Sequence, residues 1–296
     1  MLDFRHQTFI SLCKIGSYTK TAEQLHITQP AVTQHIKYLE DLYQAKLFDY
    51  QGKVLTLTEQ GQLLYEFATT VHTDSQQVKK VIAQAGSKHP LLSFGATRTI
   101  GEYVMPSILR CLLAQESDLH CSMLVANTQT LLGKMRDGEI SFALLEGFFD
   151  KTQYGHRLFS REEFIAICSP QSSLARRRVK FSYLLNQRVI LREEGSGSLK
   201  ILDQELHKKN LTQHSFRRSL VVGNIHAIKE LVAQGVGISF LYRAAVEKEL
   251  AQGVLEEIDI IDFHLTREFN MVFLENSFHT PEYLQWFERF KELRGK

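Results

Sequence analysis

Gln29, Thr33, Gln34 and Lys37 fall on one side of a short helical run, with Thr28 just ahead of them and His35 beside them. Amides and hydroxyls of this kind hydrogen-bond the edges of base pairs, and a lysine next to them neutralises phosphate. The chemistry is recognition of a DNA duplex, with no bond made or broken. Two helices must position these side chains. Ala22, Leu25, Ile27, Ala31, Val32, Ile36 and Leu39 keep a helical rhythm that breaks once, around residues 26–28. Pro30 suits the first turn of a second helix, where a missing N–H costs nothing, and Thr28 can cap the amides that follow. The same pattern fits an ordinary surface hairpin of helices, so spacing alone leaves both readings open.

A second group of polar residues follows residue 90. Thr97, Arg98 and Thr99 come after an apolar run at 91–96, and Asn127 and Thr128 come after a run at 120–126. Gly195, Ser196, Gly197 and Ser198 follow Arg192 at the end of a run at 188–192, and Asn224 follows a run at 216–222. Each group can cap a helix while its backbone N–H groups face a crevice, where the helix dipole favours negative charge. Arg192 adds a guanidinium able to hold a carboxylate or another oxyanion through two hydrogen bonds, although Glu193 and Glu194 can neutralise it. Any one of these loops could be a helix cap and nothing more. Four of them in matching topological positions point to a small-anion site.

The runs at 91–96, 120–126, 140–146, 164–169, 188–192, 216–222 and 237–242 read as short strands alternating with helices. Such alternation predicts an α/β architecture with parallel sheets, whose ligands sit beyond the carboxyl ends of the strands. In the stretch 223–241, Ile228, Leu231 and Val232 read as core, and Gly235 and Gly237 as the turn into the next strand. Between the two parts, Leu64, Phe67, Val71, Val78, Val81 and Ala85 recur at spacings of three and four in a stretch without proline, interrupted at Asp74. That stripe predicts a long helix, which pairs with a second copy or packs on the chain's own C-terminal part before the breaker at 86–90.

Composition narrows the function classes. Six basic and five acidic residues over 1–58 leave a net charge of +1, so one copy binds DNA weakly and useful affinity needs several copies on one site. No apolar run approaches a membrane-spanning length and the N-terminus lacks a signal-peptide pattern, which predicts a cytoplasmic protein without membrane partners. The four cysteines, Cys13, Cys111, Cys121 and Cys168, show no metal-ligand spacing, so neither a metal nor a cofactor is expected. Cys111 with Cys121 is the pair to test for redox sensing. An esterase-like reading of Gly195-Ser196-Gly197 lacks the elbow and the partner residues that a nucleophile needs. A transport receptor would share the C-terminal architecture but not the N-terminal helices.

Residues 16–48, followed by LTLTEQG at 55–61, resemble in register the N-terminal domain of LysR-type transcriptional regulators. Ala22, Leu25, Thr28, Gln29, Pro30, Ala31, Val32, Ile36, Leu39, Glu40, Leu47, Phe48, Leu57, Thr58 and Gly61 stand in family positions. The family usually places an arginine where this chain has Tyr50, which leaves Lys53 as the wing's cation. The resemblance implies a winged helix-turn-helix over 1–58, a dimerising linker helix over 59–86 and an effector-binding domain over 91–296. That domain would form two Rossmann-like lobes resembling type 2 periplasmic binding proteins, one from 91–162 with 267–296 and one from 163–266. It further implies a regulator, not an enzyme, acting as a homodimer or homotetramer on promoter DNA, with RNA polymerase as a further partner. The expected DNA contacts are Thr28, Gln29, Thr33, Gln34, His35, Lys37 and Lys53. A small oxyanion or carboxylate effector would lie among Thr97, Arg98, Thr99, Asn127, Thr128, Arg192, Ser196, Gly197, Ser198 and Asn224.

Overall fold

A computed structural model describes residues 3–83 and 91–295, so the breaker at 86–90 and the end of the linker stripe at Ala85 lie outside the described residues. The chain divides into two compact units, one built on the N-terminal helices and one on a large sheet.

The N-terminal unit begins with α1 (Phe4–Ile15), α2 (Tyr18–Leu25) and α3 (Gln29–Tyr43). Each start is capped by a side chain: Asp3, Ser17 and Thr28 accept from the backbone N–H of Arg5, Lys20 and Ala31. The bend between α2 and α3 is made by His26 in the left-handed region, at φ 55°. The expected turn and second helix are thus in place, with Pro30 in the first turn of α3. A two-stranded wing follows, β1 (Phe48–Gln51) antiparallel to β2 (Val54–Leu57), and then α4 (Glu59–Ala83).

Phe9, Leu12, Val32, Ile36, Leu39 and Leu47 close the core of this unit, each stabilising it by roughly 1.5–3 kcal/mol through burial. Gly61 lets α4 sit against the strand, because a Cβ there would lie 2.1 Å from the Leu47 carbonyl oxygen. The predicted stripe on α4 divides. Leu64 turns into the unit's own core, while Leu63, Phe67, Val78 and Ile82 stand 44–70 % exposed in a row along the helix.

The larger unit contains β3 (Leu91–Ala96), α5 (Met105–Gln115), β4 (His120–Val125), α6 (Thr128–Arg136), β5 (Ala143–Glu146) and the long β6 (Tyr154–Cys168). It continues with β7 (Arg178–Val179), α7 (Phe181–Leu184), β8 (Arg188–Leu191), α8 (Gly197–Lys208), β9 (Arg218–Val221) and α9 (Ile225–Ala233). The last elements are β10 (Ile238–Tyr242), α10 (Arg243–Ala251), β11 (Glu256–Glu257), β12 (Asp259–Ile260), β13 (Leu265–Leu274) and α11 (Thr280–Arg294). A π-helical turn, Ile100–Val104, leads from β3 into α5.

The main sheet runs β4-β3-β5-β13-β6-β10-β8-β9, with β11 also on β6. It is mixed, where alternation had predicted parallel pairing. β3, β4 and β5 are parallel, as are β8, β9 and β10, but β13 runs against β5 and β6 runs against β10. The cause is the pair of long strands: β6 starts ten residues earlier than the run expected at 164, and β13 is an additional strand. Two halves of the sheet, each parallel within itself, therefore meet across β6 and β13. No helix among the described residues is long and apolar enough to cross a membrane.

Candidate nucleic-acid interface and effector site

The exposed side of α3 carries Gln29, Thr33, Gln34 and Lys37. Gln29 and Thr33 hold one another, Gln29 Nε2 donating to Thr33 Oγ1 at 3.0 Å, while the Thr33 hydroxyl donates to the Gln29 carbonyl at 3.2 Å. Gln34 and Lys37 remain free to reach a groove. Thr28 is exposed but its hydroxyl is used in the cap. Lys53 is exposed in the wing turn, and Tyr50 on β1 is 61 % exposed, so the position where the family has arginine presents an aromatic ring to solvent.

His35 departs from the expected row. Its Nδ1 lies 3.0 Å from Thr8 Oγ1 on α1 and its ring meets Phe4 edge-on at 4.9 Å. Burial, then the Arg5 charge, pull its pKa down and favour a neutral ring. Helical periodicity explains the difference: His35 is one position from Ile36 and so falls at the border of the buried face.

In the larger unit, Asn127, Thr128, Arg192, Ser196 and Gly197 line one cavity of about 800 Å³, together with Phe148 at its edge. Three of the four loops predicted to cap a helix do so, while Thr99, ahead of the π-helical turn, makes no side-chain cap. Asn127 accepts from Thr130 N–H, Ser196 from Leu199 N–H, and Asn224 from Ala227 N–H. The Ser196 hydroxyl is thus occupied at the start of α8 and not set up as a nucleophile. Thr97, Arg98, Thr99, Ser198 and Asn224 are not among the residues that line the cavity. Arg98 Nη1 donates to the Gly223 carbonyl at 2.8 Å and the guanidinium stands 3.9 Å from Glu193, so it clamps two loops.

Arg192 is only 3 % exposed, and its Nε and Nη2 both donate to Glu193, at 2.9 and 3.1 Å. Burial pushes the Glu193 carboxyl up, but the hydrogen bonds and charge of Arg192 outweigh it and leave it below the usual carboxylate range. Nη1 of Arg192 is buried without a partner among the described residues, and so is Oγ of Ser198. Thr97 and Thr99 are also buried, Thr97 accepting from the Glu146 backbone N–H at 3.1 Å.

Two side chains of this region were not singled out from sequence. Glu146 ends β5, and burial pushes its carboxyl up to about 7 against the hydroxyl and N–H of Thr99 and the charge of Arg192. Tyr242 ends β10, and burial followed by the Glu146 charge raises its phenol well above the ordinary value. The available signal was an acid closing the apolar run 140–146. Burial raises the pKa of Cys13 and Cys121 and takes Cys168 up to about 11, which disfavours the reactive thiolate at those three positions.

Residues 5–62 match the bacterial regulatory helix-turn-helix family of lysR type, and residues 85–294 match the LysR substrate binding domain. The HTH-type transcriptional regulator CysL of Bacillus subtilis is 30 % identical over 268 residues, covering 90 % of this chain and 89 % of that one. Among solved structures, an OxyR variant of Corynebacterium glutamicum superposes with a TM-score of 0.62 at 19 % identity, covering 98 % of this chain and 90 % of that one. The regulatory domain of Synechocystis CcmR in complex with 2-PG does so at 0.61 and 19 % identity, covering 69 % and 97 %. Those two likenesses bear on the fold alone. With an exposed recognition helix, a wing and an α/β unit matched to a substrate-binding domain over most of its length, this chain belongs to the LysR family of transcriptional regulators.

Proposed function

We propose that this regulator senses a small oxyanion or carboxylate in its α/β unit and alters promoter binding in response. The observation that carries the reading is Arg192, a buried guanidinium whose Nη1 has no partner among the described residues, together with the equally buried Ser198 hydroxyl in the first turn of α8, which has none there either. Buried donors without acceptors are costly, and a bound anion supplies the acceptors. The start of α8 behind them adds its dipole. The CcmR regulatory domain is in complex with 2-PG, that is 2-phosphoglycolate, a ligand of this chemical class. Thr97, Thr99, Asn127, Thr128, Ser196 and Gly197 complete the site, while Arg98 and Asn224 hold the surrounding loops.

In this reading, 1–58 is the DNA-binding domain, 59–86 the dimerising linker, and 91–296 the effector domain, with lobes 91–162 plus 267–296 and 163–266. Gln29, Thr33, Gln34, Lys37 and Lys53 contact DNA, and Thr28 and His35 position α3. The exposed row Leu63, Phe67, Val78 and Ile82 is covered by a second copy, and two such dimers form a tetramer in the cytoplasm. Anion binding shifts the population of lobe arrangements, and with it the spacing of the paired DNA modules that RNA polymerase meets. The test is to sequence genomic fragments bound by the purified protein and to remeasure their affinity with sulfate, phosphate and 2-phosphoglycolate. A change with at least one anion supports the reading. Unchanged affinity and footprint with all of them count against it.

A further inference from the structure

Glu146, Arg192, Ser198 and Tyr242 are each no more than 3 % exposed, and each has one polar atom without a partner among the described residues: Oε2, Nη1, Oγ and the phenol OH. They come from the ends of β5 and β10, from the residue after β8 and from the first turn of α8. Glu146 sits directly against that turn, because a Cβ on Gly197 would lie 3.3 Å from the Glu146 carbonyl oxygen and 3.4 Å from its Cγ. The groups that face the carboxyl are Arg192, Thr99, Tyr242 and Glu102 of the π-helical turn. Arg192 acts on it through its charge but gives Nε and Nη2 to Glu193.

An anion accepting from Arg192 Nη1 and Ser198 Oγ meets an acceptor in Glu146. Two oxygens that both carry only lone pairs repel, and in a dry interior the repulsion of two negative charges is large. A proton between them converts the clash into a hydrogen bond. We propose that Glu146 is the specificity-determining residue of this site, admitting an oxyanion only together with one proton, brought on the ligand's own hydroxyl or taken from water by Glu146. This deepens the anion reading above and rests on it. Burial already favours the protonated acid, with Glu102 adding to the rise and Thr99 and Arg192 opposing it, so the cost of protonation is small near neutral pH.

Two inorganic anions separate the routes. Sulfate carries no proton at neutral pH, so each sulfate bound must draw one onto Glu146. Monohydrogen phosphate brings its own. Calorimetric titration of the full-length protein with sodium sulfate and sodium phosphate, at about pH 6 to 8.5 in two buffers of different ionisation heat, reads affinity and proton uptake together. The expected result is that sulfate affinity falls about tenfold per pH unit above about pH 7, with uptake of about one proton per sulfate. Phosphate loses less. In Glu146→Gln, whose amide donates like the protonated acid, sulfate binding becomes independent of pH with no proton uptake.

Sulfate affinity that is flat with pH in the unaltered protein overturns the role of Glu146 and leaves the anion site standing. Sulfate binding by Glu146→Gln alone, with none by the unaltered protein even at about pH 6, overturns the entry of sulfate together with a proton and leaves the anion site standing. Absence of binding by sulfate, phosphate and 2-phosphoglycolate to either protein removes the anion reading and this proposal with it. An infrared carboxylic-acid band near pH 6 that Glu146→Gln loses is a check needing no ligand, and its absence from the unaltered protein also overturns the proposal.

Discussion

Arg192 and Glu146 share one buried patch and do not pair: the guanidinium gives two of its nitrogens to Glu193, while Nη1 of Arg192 and Oε2 of Glu146 have no partner among the described residues. An ion pair here would have been a structural tie. A guanidinium left half-satisfied beside an acid with one oxygen unpartnered is instead a place where a ligand gains more than the protein loses.

That relationship has a stability consequence. Glu146 has a folded pKa raised to about 7 from 4.5, so the folded state binds its proton more tightly than the unfolded chain. Its penalty is absent below about pH 4.5, grows as pH rises to about 7, and levels off at about 3 kcal/mol above that. Glu146→Gln is expected to raise stability at about pH 8 and to remove this part of the decline. Urea unfolding across that pH range measures it, and an unchanged pH profile in the variant contradicts it.

On α3, Gln34 and Lys37 are expected to differ in kind. Gln34→Ala costs about 1–3 kcal/mol on a matched site and changes the preferred sequence. Lys37→Ala weakens all duplexes alike and lowers the slope of log affinity against log salt by about 1. Anisotropy titrations on matched and scrambled duplexes at several salt concentrations decide between this division and equal losses.

How much of this was legible beforehand depends on how local the cause is. The helix-turn-helix was readable because Thr28, Pro30 and the apolar rhythm act within one turn of the chain. The caps Asn127, Ser196 and Asn224 were readable for the same reason. Glu146 and Tyr242 were not, since their surroundings are assembled from β5, β8, β10 and the π-helical turn, far apart in sequence. β13 was hidden because Arg267, Glu268 and Asn270 interrupt its apolar pattern, although residues 269–274 are buried on both faces. Leu64 and Phe67 belonged to one predicted stripe, yet only the packing of α4 on its own unit shows that the first is buried and the second exposed.

The exposed row on α4 supplies a further prediction. Phe67→Asp places a charge where 62 % of the ring surface is open in the single chain. Loss of its burial in a helix pair is expected to weaken self-association by about tenfold to a hundredfold. Sedimentation equilibrium over a concentration series measures this, and an unchanged assembly means that the row is not the interface.

Gly61→Ala tests the seat of α4. Alanine favours a helix by about 1 kcal/mol over glycine, but here its Cβ would lie 2.1 Å from a backbone oxygen. The clash is expected to win, with a net destabilisation of about 1–3 kcal/mol. Chemical denaturation followed by helical ellipticity reads the sign directly.

The anion site itself is tested most directly by thermal unfolding of the full-length protein against sulfate, phosphate and 2-phosphoglycolate, alone and with Ser198→Ala. At least one anion should raise stability with concentration, by about 2.7 kcal/mol at a hundred times its Kd, and Ser198→Ala should weaken that response. No stabilisation by any of the three, or an equal response in Ser198→Ala, contradicts the placement of an anionic effector beside Arg192.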